Sequence, residues 1–499
     1  MNDAKREAHG IGTNLLTLVA QAALPAFHVQ LARFLAASGY GVYTWSNAFV
    51  DMFSLLTLFG MDQAVARHVA LAYADGDEKR GILATATALR VVLLSGILVS
   101  GALIFAAPAV ASFQSKPELV TPLRVLAFVP IFYHATTIFL VATQARQVMK
   151  YNFWVRGVVQ PMGLLVLTSV VLRVHATVPA AALAVVVGMG VTTLAAAFAY
   201  RRELPLGATL RAAVSGPMDW RLVRLAVPLV SANLLWSLQG RLDTFFLGHY
   251  KDTAAIGAYA ACVLYVTTIS QVRQAFDPVI CAMIPPLLAK GDVAGLNAAM
   301  RRQTRWSALA AVPLFVLFAG FGDGLLPIFG NEFRQGSTAM VVLAGGHLFN
   351  ALSLSAWAVS MSGHARFTAV AAGLAVLVQA VLLPTLVPRY GLLGAAIASA
   401  SGFIVAQGVQ MVMAYRLTGV HGLSVGLVKV FAAGGAAWAA GRALFTPEWA
   451  SLPVRFFASV GLSIAVYLLA LPLLGLEAEE GKALRALGDR WFSRPPGDA

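Results

Sequence analysis

The sequence predicts an all-α integral membrane protein with about 14 transmembrane helices. The chain of 499 residues is 59% hydrophobic and only 12% charged, whereas soluble domains carry about 25% charged residues. Its mean hydropathy is +0.76. The apolar residues lie in runs of about 20, which is the length of a membrane-spanning helix. Strands of a membrane β-barrel would instead alternate apolar and polar residues over about ten positions.

The apolar runs, taken in order, give the predicted helices. They lie near 11–33, 43–65, 84–112, 122–145, 155–173, 177–200, 225–248, 254–286, 306–329, 338–361, 367–388, 391–415, 423–443 and 455–475. The run 155–173 is short, and 423–443 contains Lys429. No loop is long enough for a folded soluble domain. We also find no nucleotide-binding loop and no metal-ligand spacing, so we predict a protein that is not an enzyme and has no cofactor.

The positive charge of the chain has two interpretations. A net charge of +14 is compatible with nucleic-acid binding, but in a membrane protein it is typical of basic cytoplasmic loops. With the predicted spans and a cytoplasmic N-terminus, 23 Lys and Arg residues lie in cytoplasmic segments and 7 on the opposite side. The second interpretation is therefore favoured. It predicts cytoplasmic N- and C-termini, an even number of helices and no nucleic-acid partner.

The chain is also predicted to contain a two-fold repeat. A Gly-x-Tyr sequence follows the first span of each half, with Gly41 and Tyr43 in one copy and Gly257 and Tyr259 in the other, 216 residues apart. The longest loop separates the two copies. We therefore predict an N-terminal six-helix lobe at 1–200, a cytoplasmic linker at 201–224, a second six-helix lobe at 225–416, two extra helices at 417–475 and a cytoplasmic tail at 476–499.

Four predicted helices, the first two of each half, each carry one polar face. Residues three or four apart share a face of a helix, and a lipid-facing polar stripe would be costly. The stripes are Asn14, Thr17, Gln21 and His28; Thr44, Asn47, Asp51 and Ser54; Asn233, Ser237, Arg241 and Thr244; and Thr267, Ser270, Gln274 and Asp277. These faces are predicted to converge on a polar chamber, although Ser, Thr and Asn also serve as simple contacts between helices.

Charged residues inside the spans narrow the candidate substrate-binding residues. Arg241 and Asp243 lie about 200° apart around a helix, so we assign Arg241 to the chamber and Asp243 to a neighbouring helix. Arg273 and Asp277 are four residues apart, so they either pair with each other or face the chamber. The predicted cavity residues are Arg241, Arg273, Asp51, Asp277, His28, Gln21, Asn14, Asn47, Asn233 and Gln274.

Three segments carry a resemblance to a known family. They read ARFLAASGYGVYTW followed by FGMDQAVARHVA, then RLDTFFLGHYKDTAAIGAYAACVLYV, then PRYGLLGAAIASASG. In this order they resemble the polysaccharide biosynthesis/export family, the O-antigen-type lipid-linked oligosaccharide flippases of the multidrug/oligosaccharidyl-lipid/polysaccharide (MOP) superfamily. The resemblance implies two pseudo-symmetric six-helix lobes in a V plus two C-terminal helices. It also implies a central cavity and a location in the bacterial cytoplasmic (inner) membrane.

The resemblance further implies a function. Members flip undecaprenyl-diphosphate-linked oligosaccharide across the membrane by alternating access, for cell-surface polysaccharide, lipopolysaccharide or exopolysaccharide biosynthesis. The expected partners are this lipid-linked substrate, membrane lipids, a coupling proton or sodium ion, and other polysaccharide-assembly proteins. Two alternatives stay open: a cation-coupled multidrug antiporter of the same superfamily, in which Asp51 and Asp277 would be essential, and a membrane-embedded glycan polymerase or ligase.

Overall fold

The computed structural model of the protein describes residues 23–224, 237–364, 366–446 and 449–473. Within these ranges the chain is almost entirely helical and contains no β-strand. Ten of the described helices are long and apolar enough to cross a membrane, or eleven if the bent pair Asn331–Leu352 and Leu354–Met361 forms one span. The predicted class of an all-α, multi-pass membrane protein is confirmed.

In the first half of the chain, the described residues form eight helices. They are α1 (Ala23–Leu58), α2 (Met61–Ala74), α3 (Glu78–Phe113), α4 (Val120–Leu126), α5 (Val129–Ala145), α6 (Lys150–Val174), α7 (Val178–Glu203) and α8 (Leu206–Ser215). A π-helical stretch, Phe153–Val159, lies inside α6. Helix α8 falls in the predicted linker, where the Arg90 guanidinium of α3 donates hydrogen bonds to its C-terminal carbonyls, those of Ala212 and Ala213.

From residue 237 onward, the part of the chain that the structure describes forms nine α-helices of five residues or more. They are α9 (Leu242–Tyr250), α10 (Thr253–Ala289), α11 (Val293–Leu325), α12 (Ser337–Leu352), α13 (Trp357–Met361), α14 (Arg366–Tyr390), α15 (Leu392–Thr418), α16 (Val425–Phe445) and α17 (Leu452–Leu473). Short 3-10 turns, Leu326–Ile328 and Asn331–Gly336, connect α11 to α12. Each of the fourteen predicted spans overlaps at least one of the described helices, although parts of the first, seventh and fourteenth spans lie outside the described residues.

Two of the predicted boundaries between helices differ from the structure. The predicted loop after the first span is a single-residue break inside α1 at Ala36, which has φ 56°. The Glu332 carboxylate accepts a hydrogen bond from the backbone N–H of Ala37 at 2.6 Å and so satisfies the first donor of the second helical segment. The seventh span is interrupted by a turn at Gly240 and Arg241, and α9 begins only at Leu242.

The chain forms two compact units. Unit 1 contains Met1–Tyr265, Leu326–Leu343 and Thr368–Ala406, and unit 2 contains Val266–Leu325, Ala344–Phe367 and Gln407–Ala499. One apolar core of unit 1 includes Met61, Val65, Leu89, Ile138 and Tyr200, from helices α2, α3, α5 and α7. A core of unit 2 includes Ile280, Met300, Leu354, Val359 and Ala414, from helices α10, α11, α13 and α15 and the turn before α13.

The two glycines of the repeat lie against each other inside unit 1. Gly41 is four residues after Ala37, and Gly257 is four residues after Thr253, so each occupies the same place in its helix. A Cβ atom on Gly41 would lie 1.7 Å from the Thr253 carbonyl oxygen, and one on Gly257 would lie 2.2 Å from that of Ala37. Only glycine permits this backbone approach.

Large apolar side chains cover the outside of the long helices. On α3, for example, Ile97, Leu98 and Phe105 are 63%, 74% and 86% exposed. Such a continuous apolar surface is unfavourable in water but suits a helix that faces lipid acyl chains. The exposed residues therefore agree with the apolar length of the same helices.

Candidate functional site

A half-exposed ion pair joins the two halves of the sequence inside unit 1. The Arg241 Nη2 atom donates to Asp51 Oδ2 at 3.0 Å, and Asn47 Nδ2 donates to the same oxygen at 3.0 Å. The side chains of Arg241 and Asp51 are 40% and 33% exposed. Three predicted cavity residues are thereby brought together, and the predicted orientation of the Asn47–Asp51 stripe agrees with this contact.

Local backbone structure presents Arg241 at this place. Arg241 is the N-cap residue of α9, directly after the turn at Gly240. Its side chain is therefore held beside the positive end of a short helix rather than in the middle of a continuous one. Asp51 comes from the second segment of α1, one turn after Asn47. The N-terminal ends of interrupted membrane helices commonly point at anionic groups.

Stacked aromatic rings lie beside Arg241, and the prediction missed them. Trp45, Phe49 and Phe245 stack with ring centroids 5.3–6.3 Å apart. Together with Arg241 they line a small cavity that has room for about one water molecule. The signal was present in the sequence, because Trp45 and Phe49 are four residues apart and share a helix face.

Gly248 makes room for this stack. A Cβ atom at that position would lie 2.1 Å from Trp45 Nε1. The Lys116 amine, in the loop after α3, donates a hydrogen bond to the Gly248 carbonyl. Partial burial lowers the pKa of Lys116, while Glu118 and Asp252 oppose this shift. The loop thus holds the C-terminal end of α9, about one turn beyond Phe245.

The second predicted charge pair forms in unit 2 and is more enclosed. Arg273 Nε lies 3.6 Å from Asp277 Oδ1, and the two side chains are only 16% and 23% exposed. The Trp357 indole donates to the same Asp277 oxygen at 2.6 Å, and Arg273 Nη1 donates to Asn350 Oδ1 at 2.8 Å. The pairing of Arg273 with Asp277, one of the two predicted arrangements, is therefore the one observed.

The network around this pair continues through Ser270, which belongs to a predicted polar stripe, and through Gln407, Asn350 and His347, which were not predicted. Gln407 Nε2 also donates to Asn350 Oδ1 at 2.8 Å, and Asn350 Nδ2 donates to Ser270 Oγ at 2.9 Å. Ser270 Oγ in turn lies 2.7 Å from His347 Nδ1. His347 and Asn350 are three residues apart on α12, a spacing that marks a polar face. The predicted span 338–361 contains both residues, but its polar face was not among the predicted stripes.

Asp243 is bound within the protein, as predicted. It is 6% exposed. The Tyr259 hydroxyl of α10 and the Ser399 hydroxyl of α15 each donate to Asp243 Oδ2 at 2.6 Å. Tyr259 is the tyrosine of the second Gly-x-Tyr copy, so this motif has a defined role in joining three helices of unit 1.

The remaining predicted residues have separate surroundings. His28 is half-buried, and its Nδ1 atom lies 3.2 Å from the Tyr40 hydroxyl. Gln274 is exposed on α10. Asn14, Gln21 and Asn233 lie outside the described residues. One chamber bordered by all these side chains stays a prediction.

Comparison with known proteins identifies the family. The sequence profile of a polysaccharide biosynthesis protein family matches residues 30–336, more than half of the chain. The chain belongs to this family. No curated protein matches the sequence. Membership in the polysaccharide biosynthesis protein family confirms the family expected from the three sequence segments.

Solved structures show the fold of this family member. The lipid II flippase MurJ in an inward closed conformation has a TM-score of 0.75 at 11% identity, covering 92% of this chain and 98% of its own. An inward-facing multidrug resistance MATE transporter of the MOP superfamily has a TM-score of 0.66 at 14% identity, covering 80% and 98%. A MOP superfamily transporter from Pyrococcus furiosus has a TM-score of 0.58 at 15% identity, covering 81% and 94%. The predicted MOP fold is confirmed.

Proposed function

We propose that this protein flips undecaprenyl-diphosphate-linked oligosaccharide across the bacterial cytoplasmic membrane by alternating access. The observation that carries the proposal is the Arg241 guanidinium. It is 40% exposed, at a break in a membrane helix, and paired with a single carboxylate. A guanidinium binds phosphate oxygens in a two-pronged geometry and keeps its charge at all relevant pH values.

Asp51 acts in this proposal as an exchangeable partner. Its contact with Arg241 is partly exposed, and exposed ion pairs contribute only about 0–1 kcal/mol. An arriving diphosphate carries more charge than one carboxylate and displaces it at little cost. Asp51, still bound to Asn47, then accepts hydrogen bonds from sugar hydroxyls.

The aromatic stack supplies the apolar part of the proposed site. Trp45, Phe49 and Phe245 lie along the cavity next to Arg241. Trp45 is buried, so the half-buried rings of Phe49 and Phe245 are the ones that suit sugar rings or the first isoprene units of the lipid carrier. The Arg241 guanidinium and the neighbouring aromatic rings together match a ligand in which a charged diphosphate links a glycan to a lipid.

The second candidate function is the cation-coupled multidrug antiporter. It is favoured by the two membrane carboxylates, Asp51 and Asp277. Both accept a hydrogen bond or ion pair from an arginine, Asp51 at 3.0 Å and Asp277 at 3.6 Å. A carboxylate that couples proton or sodium transport has to exchange that ion, and a resident guanidinium competes with it. This competition places the antiporter second.

The test is transport by purified protein in proteoliposomes, using undecaprenyl-diphosphate-linked oligosaccharide and scoring its arrival in the far leaflet. Arg241→Gln is expected to lower the rate at least tenfold, and Arg241→Lys to retain part of it. Asp51→Asn is expected to remain active. Arg442→Gln, in α16, is the matched control. Full activity of Arg241→Gln would contradict the proposal, and loss confined to Asp51→Asn would favour the antiporter.

A further inference from the structure

A second cavity lies in unit 1, away from the Arg241 pair. It is bordered by the end of α9 and the start of α10, by the turn before α12, and by the tight turn between α14 and α15. Its volume is about 670 Å³, within the range of about 300–1,000 Å³ that is usual for small-molecule sites. The polar and aromatic residues that line it include Tyr250, Lys251, Gln335, Thr338, Arg389 and Tyr390.

The lining carries excess positive charge. Lys251 Nζ donates one hydrogen bond, to the Pro388 carbonyl at 3.3 Å, which leaves two N–H donors. Arg389 is exposed, and the described residues give its guanidinium no hydrogen-bond or ion-pair partner. Asp252, the one carboxylate in the lining, is occupied at Oδ1 by the backbone N–H of Ala255 at 2.8 Å. The cavity is therefore suited to an anion.

The backbone adds to the positive electrostatic potential of the cavity. The N-terminal ends of α10, α12 and α15 contribute Ala255, Thr338 and Leu392 to the lining. Helix N-termini carry a partial positive charge. Gly391, with φ +56°, makes the tight turn into α15, and a Cβ atom there would lie 3.4 Å from Lys251 Cε. The turn thus holds the Lys251 stem and Arg389 at one end of the cavity.

The other side chains favour a saccharide over a bare phosphate group. Tyr250 and Tyr390 are 38% and 57% exposed, so ring surface is open to a ligand. Gln335 and Thr338 add an amide and a hydroxyl that are also exposed. Flat apolar rings next to neutral donors and acceptors match sugar faces and sugar hydroxyls, whereas a phosphate uses only cations and N–H groups.

From this lining we propose that the cavity is a binding site for an acidic oligosaccharide. Lys251 and Arg389 bind the carboxylates of uronic acid residues, Tyr250 and Tyr390 pack on sugar faces, and Gln335 with Thr338 binds hydroxyls. The charge distribution predicted from the sequence puts Lys251 and Arg389 on the side opposite the termini. The site therefore takes the glycan portion of the cargo where that glycan leaves the protein.

This inference rests on the proposed function for its choice of a glycan, but the two fail separately. The site is tested by equilibrium binding of a soluble glycan that has no lipid carrier, so no transport is needed. Arg241→Gln is expected to lower transport at least tenfold and leave this binding unchanged. The cavity variants are expected to weaken binding whatever they do to transport.

The experiment uses purified full-length protein and calorimetric titration with tetramers of galacturonic acid and of glucuronic acid, and with maltotetraose as the neutral control. At least one acidic tetramer is expected to bind at least tenfold more tightly than maltotetraose. The double variant Lys251→Gln/Arg389→Gln is expected to weaken binding at least tenfold, as is Tyr250→Ala/Tyr390→Ala. Melting temperature and elution volume must match the parent protein, and Arg334→Gln is the matched surface control.

Four results would overturn the proposal. They are no binding of either acidic tetramer, equal binding of maltotetraose, binding that survives both double variants, and full displacement of the tetramer by equimolar inorganic phosphate. A further titration is carried out in the presence of vesicles of phosphatidylglycerol. Competition by those vesicles at lipid concentrations far below the tetramer would assign the cavity to a lipid headgroup instead.

Discussion

The two arginine–aspartate pairs of this protein use the same chemistry in different surroundings. Arg241 and Asp51 are 40% and 33% exposed, and their closest atoms lie 3.0 Å apart. Arg273 and Asp277 are 16% and 23% exposed and lie 3.6 Å apart. They have two further hydrogen-bonding partners, Trp357 and Asn350, and Asn350 is held in turn by Gln407 and Ser270. The Arg241 pair, which has the shorter distance between its charged atoms, is thus the one with fewer hydrogen bonds from neighbouring side chains.

The difference in exposure indicates that the Arg241 pair belongs to a binding site and that the Arg273 pair stabilises the fold. A solvated pair loses little when a ligand replaces one partner, because water screens the charge that is left. An enclosed pair has lost its hydration, so removing one member leaves an uncompensated charge and costs about 3–5 kcal/mol. We infer that the Arg241 pair exchanges partners during function and that the Arg273 pair holds α10, α12 and α13 in register.

The largest effect is expected on the stability of the enclosed pair. Arg273→Leu should lower the free energy of unfolding by about 3 kcal/mol, because Asp277 keeps only its Trp357 contact. The matched substitution Arg241→Leu should cost less than about 1 kcal/mol. Thermal unfolding of both variants in the same detergent checks the order. Equal losses would remove the distinction between the two pairs.

Exchanging the two charged residues of the Arg241 pair should change stability less, and it separates the effect on stability from the effect on transport. Asp51→Arg combined with Arg241→Asp should restore stability to within about 0.5 kcal/mol of the parent, since a solvated pair has little directional support. Transport should stay at least tenfold lower, because the guanidinium has left the helix break. The corresponding exchange of Arg273 and Asp277 should remain destabilised, since Asn350 and Trp357 each require the present partner. Recovery of transport by the first exchange would show that only the ion pair matters.

Salt should produce the smallest change. A double-mutant cycle on Arg241 and Asp51 is expected to give a coupling energy that falls by at least half between 0.05 and 0.5 M NaCl, because screening acts on exposed charges. The cycle on Arg273 and Asp277 should change little over that range. A salt-independent coupling for the first pair would mean that water does not reach it.

Much of the fold was predictable because bilayer length and apolarity leave few choices. The placement of Asp243 was also predictable, since helical geometry turns it away from Arg241. The break at Gly240 was not, because an isolated glycine in an apolar run does not specify an interruption. The Asn350 and Gln407 contacts were missed for another reason. They join helices far apart in sequence, and a single helix face does not reveal its partner.

The close approach of Gly41 and Gly257 has a mechanical consequence. At this contact the backbones of α1 and α10 meet directly. Because no side chains interdigitate there, little opposes rotation of one helix against the other. A methyl group added at either glycine would block this crossing. Neither Gly-x-Tyr segment can therefore carry a larger residue at its glycine unless the facing helix moves away. The two Gly-x-Tyr segments are therefore constrained together at this one point.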